Sequence, residues 1–247
     1  MMYNNKKGDF NMKTIFKLIK VVFVVIVLLV IIVGGVITYN GYILYKEKTN
    51  EISIEQKVEN IRGQDDYISY DDIPKTFVNA IVSIEDRRFF THNGIDIQSI
   101  GRAIITDISK MELVEGGSTI TQQLAKNIYF TQEKKFTRKV AEVFTAFDLE
   151  EKYSKEEILE LYINILYFGD GYYGIYQASK GYFDKEPKDL NLYEITLLAG
   201  LPNAPSAYAL SNETDLSKQR QNMVIDAMVE NNCMTEEEAN VLKNSNN

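Results

Sequence analysis

From Val21 to Tyr39 the chain runs VVFVVIVLLVIIVGGVITY, about 19 residues without a charged side chain. A run of that length crosses a bilayer as a helix, because in hydrocarbon each backbone N–H and C=O must be satisfied within the segment itself. Lys6, Lys7, Lys13, Lys17 and Lys20 precede the run, opposed only by Asp9. Positive charge stays cytoplasmic, so residues 1–20 are expected as a basic cytoplasmic tail and everything after Tyr39 is expected outside. A cleaved signal peptide is the alternative. The run is too long for one, and the bulky Ile37-Thr38-Tyr39-Asn40 offers no small-residue cleavage site. Residues 21–39 therefore read as an uncleaved anchor. Residues 40–70 are polar, mixed in charge and without clear period, and read as a stalk or lobe edge leading to a domain at 71–247.

That domain reads as mainly α. Asp72 and Pro74 mark a helix start, and Phe77, Ala80, Ile81 and Ile84 follow at helical spacing. A second stripe is Ile97, Ile100, Ile104 and Ile108. Gly116-Gly117 then breaks the chain, and Ser118 can cap a third helix from Thr119. A longer helix is expected from about Lys135 to Tyr153, with Phe136, Val140, Phe144 and Phe147 on its apolar side. Ser154 with Glu157 and Asn191 with Glu194 form capping boxes, and Thr235 with Glu238 repeats the signal near the end. Strand signals are few.

The sequence also excludes several functions. A formal net charge of -8 argues against nucleic acid as a partner and makes any basic cluster informative. Cys233 is alone and His92 is the single histidine, so there is no intrachain disulfide and no His/Cys metal site.

Three stretches carry candidate chemistry. In Ile84-Glu85-Asp86-Arg87-Arg88-Phe89-Phe90-Thr91-His92-Asn93-Gly94, Glu85 follows Ile81 and Ile84 on the buried side of its helix. A carboxylate held against apolar surface is a candidate proton acceptor. Taken alone, this stretch reads more simply as solvated acids at a helix C-terminus; the later segments reverse that preference. The second stretch, Gly116 to Asn127, packs hydroxyls, two amides and an ammonium around a glycine turn. Gly117, Ser118 and Thr119 offer backbone N–H groups at a helix start, where anions bind. Gln122, Gln123 and Lys126 add donors suited to sugar hydroxyls and phosphate oxygens. A plain glycine turn with a capped helix is the alternative. In the third stretch, Lys134, Lys135, Arg138, Lys139 and Glu142 cluster on a helix. Alone they are an exposed face with internal ion pairs; beside an anion-binding turn in an acidic protein, a pyrophosphate site is the better reading. Glu160 and Asn164 read as structural, and His92 as a structural histidine.

These residues resemble the signature motifs of the family 51 glycosyltransferases, the peptidoglycan polymerases. The match runs through Glu85-Asp86 with Phe89, His92 and Gly94, then Gly116 to Asn127, then Arg138-Lys139 with Glu142. It continues through Lys155, Ile158-Leu159-Glu160, Tyr162 and Asn164, and ends at Leu198 to Pro205. The resemblance implies a lysozyme-like helical head with a smaller membrane-proximal jaw, acting on lipid II. It implies that Glu85 is the base and that Glu142 assists at the pyrophosphate. Gln123, Lys126, Lys134 and Lys139 fall on substrate-binding positions, and Asp86, Gly117, Ser118, Thr119, Gln122 and Arg138 lie within the same motifs. It implies, too, a site for inhibitors of the moenomycin type. The usual pattern is departed from in three places: Lys134-Lys135 stands for Arg-Ser, Arg220-Gln221 for an Arg pair, and Asp184 for a common glycine.

The expected function is polymerisation of lipid II into β-1,4-linked glycan, with inversion and release of undecaprenyl pyrophosphate. Expected partners are lipid II, the growing lipid-linked glycan and the bacterial cytoplasmic membrane, to which other cell-wall synthesis proteins could be added. A divalent cation, Mg2+ or Mn2+, could assist at the pyrophosphate; no organic cofactor is expected. The end at Asn247 leaves no room for a transpeptidase domain, so a monofunctional polymerase is expected. A lysozyme-like lytic enzyme and a non-catalytic glycan-binding protein are the alternatives. The first has no need of the basic cluster, and the second would tolerate loss of Glu85.

Overall fold

The computed structural model describes residues 12–110, 116–130, 136–212 and 215–244. Lys6, Lys7, Asp9, Lys134 and Lys135 lie outside the described residues, as do the side chains of Lys13, Ile104 and Ile108. In chain order the helices are α1 Met12–Glu51, α2 Ile54–Arg62, α3 Lys75–Glu85, α4 Ile97–Lys110, α5 Ile120–Tyr129 and α6 Phe136–Lys152. They continue with α7 Lys155–Ile165, α8 Gly174–Phe183, α9 Leu192–Gly200, α10 Pro205–Tyr208, α11 Leu216–Glu230 and α12 Glu236–Asn244. Among the described residues there is no strand, only an isolated antiparallel bridge between Tyr167 and Tyr173.

α1 holds 40 residues in one helix. At 1.5 Å per residue it reaches about 60 Å, roughly twice the hydrocarbon thickness of a bilayer. Its apolar half is long and hydrophobic enough to cross a membrane. The other half occupies part of the segment expected as a stalk. At Gly41 an added Cβ would lie 2.5 Å from the Val140 Cβ and 2.9 Å from the Thr137 carbonyl oxygen, so α1 and α6 meet backbone to backbone. Beyond that contact the Phe144 ring packs against Tyr42 at 5.3 Å and Tyr45 at 5.8 Å. The Tyr45 hydroxyl donates to Asp148. The remainder of 40–70 includes α2, whose Ile54, Val58 and Ile61 are buried. Ile54, Val58 and Ile61 stand at helical spacing behind the Ser53–Gln56 cap, a short period that the reading of 40–70 as a stalk passed over.

α3 packs on α9 and α11, while α5 packs on α6 and α7. Phe77 and Ile81 of α3, Leu124 of α5, Ile158 and Tyr162 of α7, Leu198 of α9 and Val224 of α11 belong to one buried cluster. Each such aliphatic or aromatic side chain contributes about 1.5–3 kcal/mol on leaving water. Reciprocal capping boxes start α2 (Ser53 with Gln56), α5 (Thr119 with Gln122), α7 (Ser154 with Glu157) and α9 (Asn191 with Glu194). The cap of α5 is Thr119 rather than Ser118, and that one-residue difference leaves the Ser118 hydroxyl for another contact. α8 ends on Asp184 at φ 53°, a left-handed position that glycine adopts with least strain and short polar residues tolerate. This accounts for the departure at that residue.

Candidate active site

Glu85 is the last residue of α3, and Asp86 at φ -157° turns the chain away from the helix. That break points the two neighbouring carboxylates in different directions. The Glu85 side chain is 9% exposed and accepts from Gln123 Nε2 at 2.8 Å through Oε2. Its other oxygen, Oε1, lies 3.5 Å from Arg220 Nη2. Gln123 in turn accepts at Oε1 from the Tyr162 hydroxyl at 2.9 Å. Burial, followed by the charges of Glu85 and Asp86, pushes the Tyr162 phenol well above its ordinary value, so it stays protonated and donates. Glu85 also lines a cleft of about 290 Å³ with Ser83, Arg87, Arg102, Gly116 and Glu230. A carboxylate so held is anchored on one side and open to a cleft on the other.

Asp86 faces inward. It accepts from His92 Nε2 at 2.8 Å and from the Ile120 N–H at 3.1 Å, which makes it an anionic partner for the N-terminus of α5. Here Asp86 orients α5, and the single histidine serves that same join. Gln122 is also taken up structurally, in the capping box with Thr119, and the Thr119 hydroxyl donates to the Gly94 carbonyl at 2.6 Å. Gly94, at φ 75°, lets the loop run against α6, where an added Cβ would lie 3.3 Å from the Ala146 carbonyl. Its N–H donates to Glu150 at 3.0 Å; Glu150 also accepts from Thr121 at 2.6 Å and pairs with Lys155 at 2.7 Å.

A second group of charges stands on α6. Glu142 is 1% exposed, with Arg138 on Oε1 and Lys139 Nζ 3.0 Å from Oε2. The ion pairs are internal to one helix, as an ordinary charged face would have them, but a solvated face does not bury its carboxylate. Lys139, still 42% exposed, also donates to the Ser118 hydroxyl at 2.5 Å. Lys126 is half-buried on α5, one turn beyond Gln122 and Gln123. The stretch Ser118–Gln123 therefore touches both groups: Ser118 meets Lys139 of α6, and Gln123 meets Glu85. Gly117 packs with its Cα face toward Ile100 and Ala103 of α4.

Tyr162 and Arg220 stand among the motif positions but were given no role in the candidate site. A tyrosine in an otherwise aliphatic stripe was the available signal for Tyr162, since a buried phenol requires a polar partner. Arg220 comes from α11, where its aliphatic stem lies over Gly200. The neighbouring Gln221 is fully buried and donates to the Tyr193 carbonyl at 2.9 Å and to Thr196 Oγ1 at 3.0 Å, tying α11 to α9. Glu160 accepts from the Tyr70 N–H at 2.6 Å, and Asn164 exchanges two 2.8 Å bonds with the Ile68 backbone. Both hold the 67–70 segment against α7.

Among the described residues no three His, Cys, Asp or Glu side chains gather to hold a metal. Both Glu142 oxygens carry cationic side chains, and both Asp86 oxygens already accept hydrogen bonds, so a divalent ion would have to displace or share these partners. These residues do not fit a protein-built metal site.

A transglycosylase family model matches residues 52–229. Penicillin-binding protein 1F of Bacillus subtilis is 42% identical over 212 residues, covering 82% of this chain and 30% of the relative. Penicillin-binding protein 1A of Neisseria lactamica is 40% identical over 185 residues, 74% of this chain and 23% of its own length. The 1A protein of Aquifex aeolicus is 43% identical over 172 residues, 70% of this chain and 24% of its own. The chain spans less than a third of the length of these relatives.

Proposed function

The chain belongs to the transglycosylase family, the family 51 glycosyltransferases, and from that membership we propose that it is a peptidoglycan glycosyltransferase polymerising lipid II. The observation that carries this reading is Glu85. It is one carboxylate, nearly buried yet lining a cleft, with a donor fixed on one oxygen and a cation-rich group joined to it through the first turn of α5.

In this reading Glu85 takes the proton from an acceptor sugar hydroxyl as that oxygen attacks the anomeric carbon of the donor. The undecaprenyl pyrophosphate leaves from the opposite face, its developing charge met by Lys126, Arg138 and Lys139, with Lys134 as a further candidate. A single displacement inverts the α-linked donor to a β-1,4-linked product. A divalent ion at the pyrophosphate would take ligands from the phosphate oxygens. The basic tail implies a cytoplasmic N-terminus, which sets the domain on the outer face where a lipid-linked substrate is met. The helix contact at Gly41 supports a domain held close to that surface.

Labelled lipid II and finished glycan, offered separately to the purified protein, distinguish this reading from a lytic one. Polymer from lipid II with intact finished glycan is the expected result. Cleavage of finished glycan without polymer would return the lytic alternative.

A further inference from the structure

Tyr162 sits on α7 with no exposed surface, and its hydroxyl ends on a side chain that itself ends on Glu85. A carboxamide carries oxygen on one edge and NH2 on the other, and its partners decide which edge points where. Gln123 has Tyr162 at Oε1 and Glu85 at Nε2. We infer that Tyr162 is a positioning residue for Glu85: its hydroxyl locks the Gln123 carboxamide with its NH2 edge toward the base. The inference rests on the proposed function and adds to it a group that touches no substrate.

The physics is one of matched donors. An ionised carboxylate only accepts, so it is satisfied by the Gln123 NH2 edge and repelled by the oxygen edge. A protonated carboxyl can donate, and it is satisfied by the oxygen edge instead. With its hydroxyl present, Tyr162 satisfies the buried oxygen edge and so selects the orientation that suits ionised Glu85. Without it, neither edge of the carboxamide finds a partner at position 162, the preference for the NH2 edge toward Glu85 is lost, and the carboxamide can turn to meet a protonated Glu85. The other charged or titratable groups around Glu85 are Asp86 with His92, Arg220 and Glu230 of α11, and Arg87 and Arg102 at the cleft. Among the described residues Arg220 is paired to Glu85, and Tyr162→Phe leaves it in place.

The test is the pH–rate profile for lipid II polymerisation by the full chain in detergent. Tyr162→Phe should move the acidic limb to higher pH by about one unit, with turnover recovering at alkaline pH and KM for lipid II unchanged. Gln123→Met, at a half-buried position, removes the donor directly and should move the limb in the same direction. Adding Tyr162→Phe to Gln123→Met should move it no further. A merely structural tyrosine would lower the melting temperature and leave the limb where it was. A folded Tyr162→Phe with the wild-type limb overturns the inference. If that variant does not fold, a folded Gln123→Met with the wild-type limb overturns it equally. Wild-type protein that makes no polymer overturns the functional reading beneath it, whereas polymerising variants with unmoved limbs overturn this inference alone.

Discussion

Arg220 reaches Glu85 from 135 positions along the chain, its Nη2 3.5 Å from the carboxylate Oε1. The guanidinium is 14% exposed, so water screens the pair weakly. Removing it should cost turnover without unfolding the domain. Arg220→Ala is expected to lower kcat by roughly 10- to 100-fold, the range of a hydrogen bond to a charged group. Gly200→Ala tests the same relationship from the far side, because its Cβ would lie 3.0 Å from the Arg220 Cγ. It should lower kcat by less than Arg220→Ala does, with a small change in melting temperature. Full turnover in both variants would show that the contact has no part in the reaction.

Glu85→Gln keeps the shape and removes the base. Polymerisation should fall by roughly 10²- to 10⁴-fold, while lipid II binding and the melting temperature stay near wild type. Radiolabelled polymer on a gel, with binding measured separately, checks this. Near wild-type turnover would favour the non-catalytic glycan-binding alternative.

Asp96 gives a pH dependence of stability. Burial opposes its charge, but the Arg88 guanidinium and the Ser99 donors outweigh burial and hold the carboxyl well below the usual carboxylate range. Arg88 bonds both Asp96 oxygens, at 2.5 Å and 2.7 Å through Nη2, and Asp96 caps α4 through the Gln98 and Ser99 N–H groups. A folded-state value below the unfolded one contributes stability that is complete above about pH 3.9 and is lost as pH falls through the folded-state value. Asp96→Asn should therefore be less stable than wild type at pH 7, and the gap in urea midpoint should shrink toward pH 3. A gap constant between those pH values would contradict the ion pair's contribution.

The parts legible in the sequence were those whose cause is local. Ser154 and Asn191 announced their helices because a capping box needs only three residues' reach. Glu85 and Gln123 were legible through their setting, one beside an apolar helical run and the other in a donor-rich turn. What stayed hidden depended on distant partners. Tyr45 looks like part of a stalk until Asp148, 103 positions on, accepts its hydroxyl. Asp86 reads in the sequence as a substrate-binding candidate, and the bonds it makes to His92 and Ile120 appear only with the helix break at its own φ. Arg220 and Tyr162 gain their meaning only when α11 and α7 are brought to the end of α3.

The cytoplasmic N-terminus proposed from the basic tail is open to a direct check. Protease added to intact protoplasts should remove the domain beyond Tyr39 and spare a short tag at the N-terminus. A domain that survives until the membrane is lysed would reverse the topology.

Lys139 separates a pyrophosphate site from an ion-paired helix face. Its ammonium bridges Glu142 at 3.0 Å and Ser118 at 2.5 Å, yet 42% of the side chain still faces outward. If the cations of α5 and α6 converge on a leaving pyrophosphate, losing this one should weaken transition-state stabilisation by roughly 2 to 4 kcal/mol. If they only neutralise Glu142, the alanine variant should lose about 1 kcal/mol of stability or less, because Arg138 remains on the same carboxylate, and turnover should hold. The two outcomes differ by about two orders of magnitude in rate, well beyond assay error. Lys139→Arg sharpens the comparison: a point charge is restored with a planar fork, so a phosphate contact should be partly recovered. The expected result is a folded Lys139→Ala with turnover down roughly 30- to 1000-fold and weakened binding of a moenomycin-type phosphoglycolipid. Normal turnover with undiminished inhibitor binding would leave Lys139 as a partner of Glu142 and nothing more.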